Sequence, residues 1–338
     1  MYEKEDNIMI ENKKASILLV LKTLERYTDE EHYLTQQEII DKIKANYGIS
    51  LERKSIAYAV ELLQELEYDI NKGSRGGYAL FSRNLDNAEV KFLIDAIFSS
   101  KVINGKQARL LADKLSNGLS IYQRKEYKYL YKTTDIARTN NNEVFYNIEI
   151  INEAMKQNKR IGFNYLQYDK DGKLVTRFHN YQYIVSPYYL VNNFGKYYLL
   201  CNYRSKYASI QIFRVDMMVN LEIKEDWEIK PLRSLEGMAN FSISEYLNDH
   251  IYMLGGEVIT AKLLIEEEFA VQYVMDWFSN NVTLSNEDGN IIATVKSNEQ
   301  ALIYWIMQYG EHIKLLGPSS LVDKLIATAH KSFDKYSK

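Results

Sequence analysis

Near residue 160 the spacing of apolar side chains changes from helical to alternating, which restricts the chain to a helical first part joined to a sheet-bearing second part. Before the change, Ile17, Val20, Leu21 and Leu24 line one face of a helix predicted over Asn12–Tyr27. Thr35 and Glu38 form a capping box ahead of Ile39, Ile40, Ile43 and Tyr47, and Gly48 ends that helix. Ser50 is the expected N-cap of a third helix, with Ile56, Ala59, Val60 and Leu63 inward and Lys54, Ala57, Tyr58 and Glu61 outward. Two helices across a short glycine turn read as a helix-turn-helix. Tyr68–Ile70 and Tyr78–Phe81 flank a glycine-rich basic turn and read as an appended hairpin, or wing.

Asp86 with Glu89 caps a further helix through Val90, Ile94 and Phe98, and Gly105–Gly118 is expected to form another. The polar run Lys132–Asn142 has no apolar period and reads as a linker. After a short helix around Ile148, Ile151 and Met155, strands are expected over residues 161–165, Tyr181–Val191, Tyr197–Tyr203, Ile210–Val215 and Val219–Ile223, close enough together to suggest a small barrel. The last third alternates strand and helix from Glu257 to Leu316 as a βαββαβ unit, with a terminal helix from Ser319 or Ser320 after Gly317-Pro318. Tyr197 and Tyr198 fall on opposite faces of their strand, so one is expected in the core and one at the surface. Trp277, Phe278, Trp305 and Tyr309 read as core or subunit interface.

With 338 residues, several domains are expected. A net charge of −3 argues against indiscriminate coating of nucleic acid but allows one locally basic module, and the 28 tyrosines suit half-buried sheet faces. The lone Cys201 has no disulfide partner, no Cys/His spacing suits a metal, and no apolar run reaches the roughly 18 residues of a membrane span. A cytoplasmic location with no cofactor, metal or membrane partner is expected. Phosphate-loop, dinucleotide, nucleophile-elbow and zinc-protease signatures are absent, and the five histidines are scattered, so no enzyme activity is expected.

Four pieces in the middle of the chain, Phe163-Asn164-Tyr165, Val185-Ser186-Pro187, Gly195-Lys196-Tyr197-Tyr198-Leu199 and Phe213-Arg214-Val215-Asp216-Met217-Met218, stand in the order found in WYL-domain transcriptional regulators, and the likeness runs over nearly the whole chain. Lys54-Ser55-Ile56-Ala57-Tyr58 resembles the family's recognition helix. Tyr197 stands at the usual tryptophan, while Tyr183 and Met217 stand at usual arginines, so the resemblance implies a less basic pocket than is common. It implies a multidomain α+β protein: a winged helix-turn-helix (1–83), a helical connector and linker (84–142), an Sm-like β-barrel WYL sensor (143–226), and a C-terminal α+β extension that dimerises (227–338).

On this reading double-stranded operator DNA contacts Gln36, Gln37, Arg53, Lys54, Ser55, Tyr58, Lys72 and Arg75, with helix side chains reading bases and basic groups holding phosphates. A nucleotide or single-stranded nucleic-acid effector contacts Tyr165, Tyr168, Arg177, His179, Arg204, Lys206 and Arg214, because guanidinium forks match phosphates and aromatic faces stack bases. The blander reading makes these charges solvated or locally paired, and Arg214 either braces Asp216 or meets a ligand. The expected product is a ligand-responsive homodimeric regulator. The other reading is a nucleic-acid-binding accessory protein whose WYL barrel holds RNA or single-stranded DNA.

Overall fold

The computed structural model describes residues 15–74, 76–127, 141–203, 210–278 and 280–337, and the chain divides into two compact units, Met1–Asn140 and Asn141–Lys338. In the first, α1 (Ser16–Tyr27), α2 (Gln36–Tyr47) and α3 (Arg53–Glu65) close on a core that includes Leu24, Ile39, Ile43, Ile56 and Leu63. The Thr35/Glu38 capping box opens α2, and Gly48, at φ 71°, closes it in the left-handed region. Ser50 is not the cap of α3. Ile49 and Leu51 pack against the core, so the helix starts only after them, capped by the Glu52 backbone without a side-chain bond.

Antiparallel β1 (Ile70–Lys72) and β2 (Tyr78–Leu80) form the hairpin, and Leu34 bridges to Tyr78 beside it. Gly77 permits this approach, since a Cβ there would lie 3.1 Å from the Leu34 carbonyl carbon. Next come α4 (Asn87–Ser99), capped by Asp86 and Glu89, α5 (Gly105–Ser116) and the short α6 (Gln123–Glu126), around Val90, Ile94, Phe98 and Ala112.

The second unit opens with α7 (Val144–Lys156), which lays Ile151 and Ala154 on a sheet of β3 (Lys159–Tyr168), β4 (Leu174–Thr176), β5 (Gln182–Asn193), β6 (Lys196–Asn202), β7 (Gln211–Arg214) and β8 (Met218–Glu228). The order is β4-β3-β5-β6-β7, with β8 on the other side of β3. The pairing is therefore that of an open sheet, not the closed barrel expected: among the described residues no ladder joins β7 to β8. The single turn Val215–Met217 carries the chain from one to the other. Asn141, at the end of the run read as a free linker, is buried here and donates to the Asp216 and Met218 carbonyls at 3.1 and 3.0 Å; most of that run, 128–140, lies outside the described residues.

Residues 232–247, including the start of α8 (Ile243–Asp249), cover the opposite face of β5–β7 with Met238, Phe241 and Tyr246. Tyr197 and Tyr198 consequently both become half-buried, each against a different apolar cluster, rather than dividing into core and surface.

The remaining elements are β9 (Val258–Ile265), α9 (Val271–Phe278), β10 (Val282–Glu287), β11 (Asn290–Asn298), α10 (Glu299–Tyr309), β12 (Ile313–Gly317) and α11 (Ser319–Tyr336). They form an antiparallel sheet in the order β10-β11-β9-β12, the split β-α-β arrangement expected. Trp305, fully buried, packs edge-on against Phe278 at 5.0 Å. Among the described residues no helix is long and apolar enough to cross a membrane.

Candidate functional site

The outward face of α3 follows from helical geometry. Ile56, Ala59, Val60 and Leu63 are buried, which turns Arg53, Lys54 and Tyr58 to solvent, with Tyr58 62% exposed. Ser55 is half-buried. The helix has no acidic residue in its first turn and no side-chain cap, so its leading N–H groups lie beside the Arg53 and Lys54 cations, with the exposed Glu52 at the N-cap as the one nearby carboxylate on this stretch. Arg53 Nη2 donates to Gln37 Oε1 at 3.3 Å, and Gln37 in turn donates to Asp41 at 3.1 Å, tying α2 to α3; Gln36 is half-buried. Lys72 is exposed at the end of β1, and Arg75 lies outside the described residues.

In the sheet of the second unit, alternation places Phe163 with Tyr165, and Tyr181 with Tyr183, on shared strand faces. Phe163, Tyr165, Tyr183 and Phe213 meet with ring centroids 5.1–6.3 Å apart, and Tyr181 and Tyr203 extend the cluster through a 2.7 Å bond between their hydroxyls. The two-residue spacing put Phe163 and Tyr165 on one strand face, while strand pairing brought Tyr183 and Phe213 to them. What could not be read was the fate of the arginine positions: Tyr183 is buried among these neighbours, and Met217 is buried at the end of the Val215–Met217 turn.

Tyr165 and Arg214 come together: the Arg214 backbone N–H donates to the Tyr165 hydroxyl at 3.1 Å, and burial raises the Tyr165 pKa above its ordinary value. Arg177 joins them through its backbone, donating to the Tyr165 carbonyl at 2.7 Å, while its guanidinium lies 4.7 Å over the Phe178 ring.

Arg214 braces Asp216 in a fork, Nε to Oδ1 at 3.0 Å and Nη2 to Oδ2 at 2.6 Å. Strand alternation is not what aligns them, since the strand ends at Arg214 and the Val215–Met217 turn brings Asp216 back. The hydrogen bonds to Asp216 hold the Arg214 pKa above its usual value. One edge of the guanidinium is committed to this carboxylate, and Tyr198, paired opposite Arg214 on β6, forms the neighbouring wall that the sequence did not single out. Tyr168 and His179 are exposed, at the tip of β3 and in the turn before β5. In that turn Phe178, His179 and Asn180 all have positive φ, 50°, 54° and 64°. Arg204 and Lys206 lie outside the described residues.

This mixed α+β architecture carries two recognised modules: residues 146–223 match the WYL domain and residues 257–332 the WCX domain. The chain thus carries a WYL domain followed by a WCX domain, which fits the resemblance of its middle strands. No curated protein matches its sequence. Among solved structures it is similar to proteasome accessory factor B/C (PafBC) of Arthrobacter aurescens, at 15% identity and TM-score 0.28, covering 93% of this chain and 46% of that one. It is also similar to a CRISPR Cas-related protein, at 17% identity and TM-score 0.38, covering 96% of this chain and 85% of that one. The chain therefore spans about half the length of the PafBC chain.

Proposed function

We propose that the protein is a cytoplasmic, non-enzymatic transcriptional regulator in which α1–α3 and the β1–β2 hairpin act as a winged helix-turn-helix on double-stranded DNA. The observation that carries this reading is the exposed start of α3, which presents Arg53 and Lys54 without a side-chain cap, with Lys54 and Tyr58 outward over a fully apolar inner face. Lys54, Ser55 and Tyr58 then meet base edges, while Arg53, Lys72 and Arg75 hold phosphates. The test is selection of genomic fragments by the purified protein, followed by footprinting. Lys54→Ala with Tyr58→Ala removes the footprint but leaves weak binding to any duplex; a footprint equal to the parent's overturns the assignment of α3.

The WYL sheet is the effector site of this proposal, with Arg214, Tyr165, Tyr198 and Arg177 meeting a nucleotide or short single strand. With Tyr183 and Met217 where arginines are common, and Arg214 half-occupied by Asp216, few cations remain for phosphates, so recognition rests more on stacking. Calorimetry with nucleotides and short single strands tests this, and no heat on folded protein removes it. Homodimerisation, with two heads on a two-fold site, completes the proposal.

A further inference from the structure

In the first unit, away from the outer face of α3, lies a cavity of about 700 Å³ between the ends of α1, α3 and α5, within the range of roughly 300–1,000 Å³ typical of small-molecule pockets. Arg83, which follows β2, lines it. Its Nη1 donates to the Glu25 and Gly118 carbonyls at 3.0 and 2.7 Å and its Nη2 to the Thr28 carbonyl at 2.5 Å. The third donor, Nε, is buried and has no acceptor among the described residues, a state that buried donors seldom keep.

Three more charged side chains stand around the opening, Lys114 from the last turn of α5 and the carboxylates of Glu25 and Glu67. All three are exposed, and no ion pair among the described residues involves them. Leu66, Leu85 and Leu115 supply apolar wall.

These groups discriminate between ligand classes. A simple anion gains Arg83 and Lys114 but faces Glu25 and Glu67, and a simple cation meets the reverse. A molecule with both charges and an apolar body finds a lining group of each kind. We propose that this cavity binds a free α-amino acid with an apolar side chain, its carboxylate toward Arg83 and Lys114, its ammonium toward Glu25 and Glu67, and its side chain against the leucines. The site is built jointly by the α1–α3 body and the α4–α5 connector, so its occupant ties the two together. It does not rest on the DNA-reading role of α3 or on the WYL effector site.

The experiment is calorimetry on the full chain with leucine and phenylalanine, set against isocaproate and isoamylamine, which each keep one of the two charges. Saturable binding of the amino acids, at least about ten-fold tighter than either analogue, is expected because each charge loses its partner when one is removed. Lys114→Ala and the pair Glu25→Gln with Glu67→Gln change only exposed groups. Each is expected to weaken binding by about ten-fold or more while melting as the parent does. No heat with either amino acid at millimolar concentration on folded protein overturns the proposal. Equal binding of one analogue, or binding unchanged in both variants, overturns it as well.

Discussion

Asp29 illustrates how much one buried polar group can hold together. Only 3% exposed, it accepts from the Ser120 hydroxyl at 2.5 Å, from His32 Nδ1 at 2.6 Å and from the Glu31 and His32 backbone N–H groups, while the His32 ring stacks on Tyr122 at 3.6 Å. Burial pushes its pKa up, but the bonds from Ser120 and His32 outweigh that and hold it below the usual carboxylate value. Asp29→Ala strands these donors and should cost roughly 2 kcal/mol in chemical denaturation. None of this was visible in the sequence, because Asp29 and Ser120 are brought together only by folding. His250 offers a pH test. Burial lowers its pKa, against a 2.8 Å contact with the Tyr246 carbonyl and the charge of Asp249, and its ring stacks on that of Tyr246 at 3.9 Å. A lowered pKa means the folded state binds fewer protons, so its stabilising share is complete above the ordinary histidine value near 6.5 and is lost as pH falls below it. The melting temperature should therefore drop between about pH 6.5 and 5, and His250→Gln should flatten that part of the curve; an unchanged slope would place the titrating group elsewhere.

Local signals located elements where the side chains that make them are neighbours in sequence. Glu38 closes on Thr35, Glu89 closes on Asp86, and Glu299–Tyr309 is the helix that its periodicity indicated. Thr35→Ala should lower stability by about 1 kcal/mol, since the bond from the Glu38 N–H to the Thr35 hydroxyl is lost while the backbone half of the box remains, measurable as a shift in the urea midpoint at constant slope. Where an element forms because something distant covers it, the sequence was silent. The 232–247 segment follows neither helical nor strand period, yet Met238, Phe241 and Tyr246 pack on β5–β7. The start of α3 moved from Ser50 to Arg53 for the same reason: Ile49 and Leu51 are needed by the core. A cap is a preference of order 1 kcal/mol, which the burial of two large apolar side chains exceeds.

At the scale of the whole chain, each unit has its own apolar cores, around Ile56 and Leu63 in the first and around Phe163 and Trp305 in the second. Scanning calorimetry should resolve more than one transition. Leu63→Ala should lower one of them by about 5 °C or more and leave the other in place; a single transition that shifts as a whole would show the units to unfold together. DNA affinity, if the proposal for α3 holds, should fall steeply with salt despite the net charge of −3, because a few clustered cations, not the total, set the number of counterions released. The order of amino acids alone located α1–α5 and the WYL strands β3 and β5–β8, since periodicity, caps and turns act over a few residues. Only the tertiary structure decided that the sheet stays open in its pairing, that Arg214 is half-spent on Asp216, that Tyr183 and Met217 are core, and that Arg83 lines a cavity. Those outcomes depend on which distant surfaces remove water from a side chain, and that quantity is not written in any local stretch of sequence.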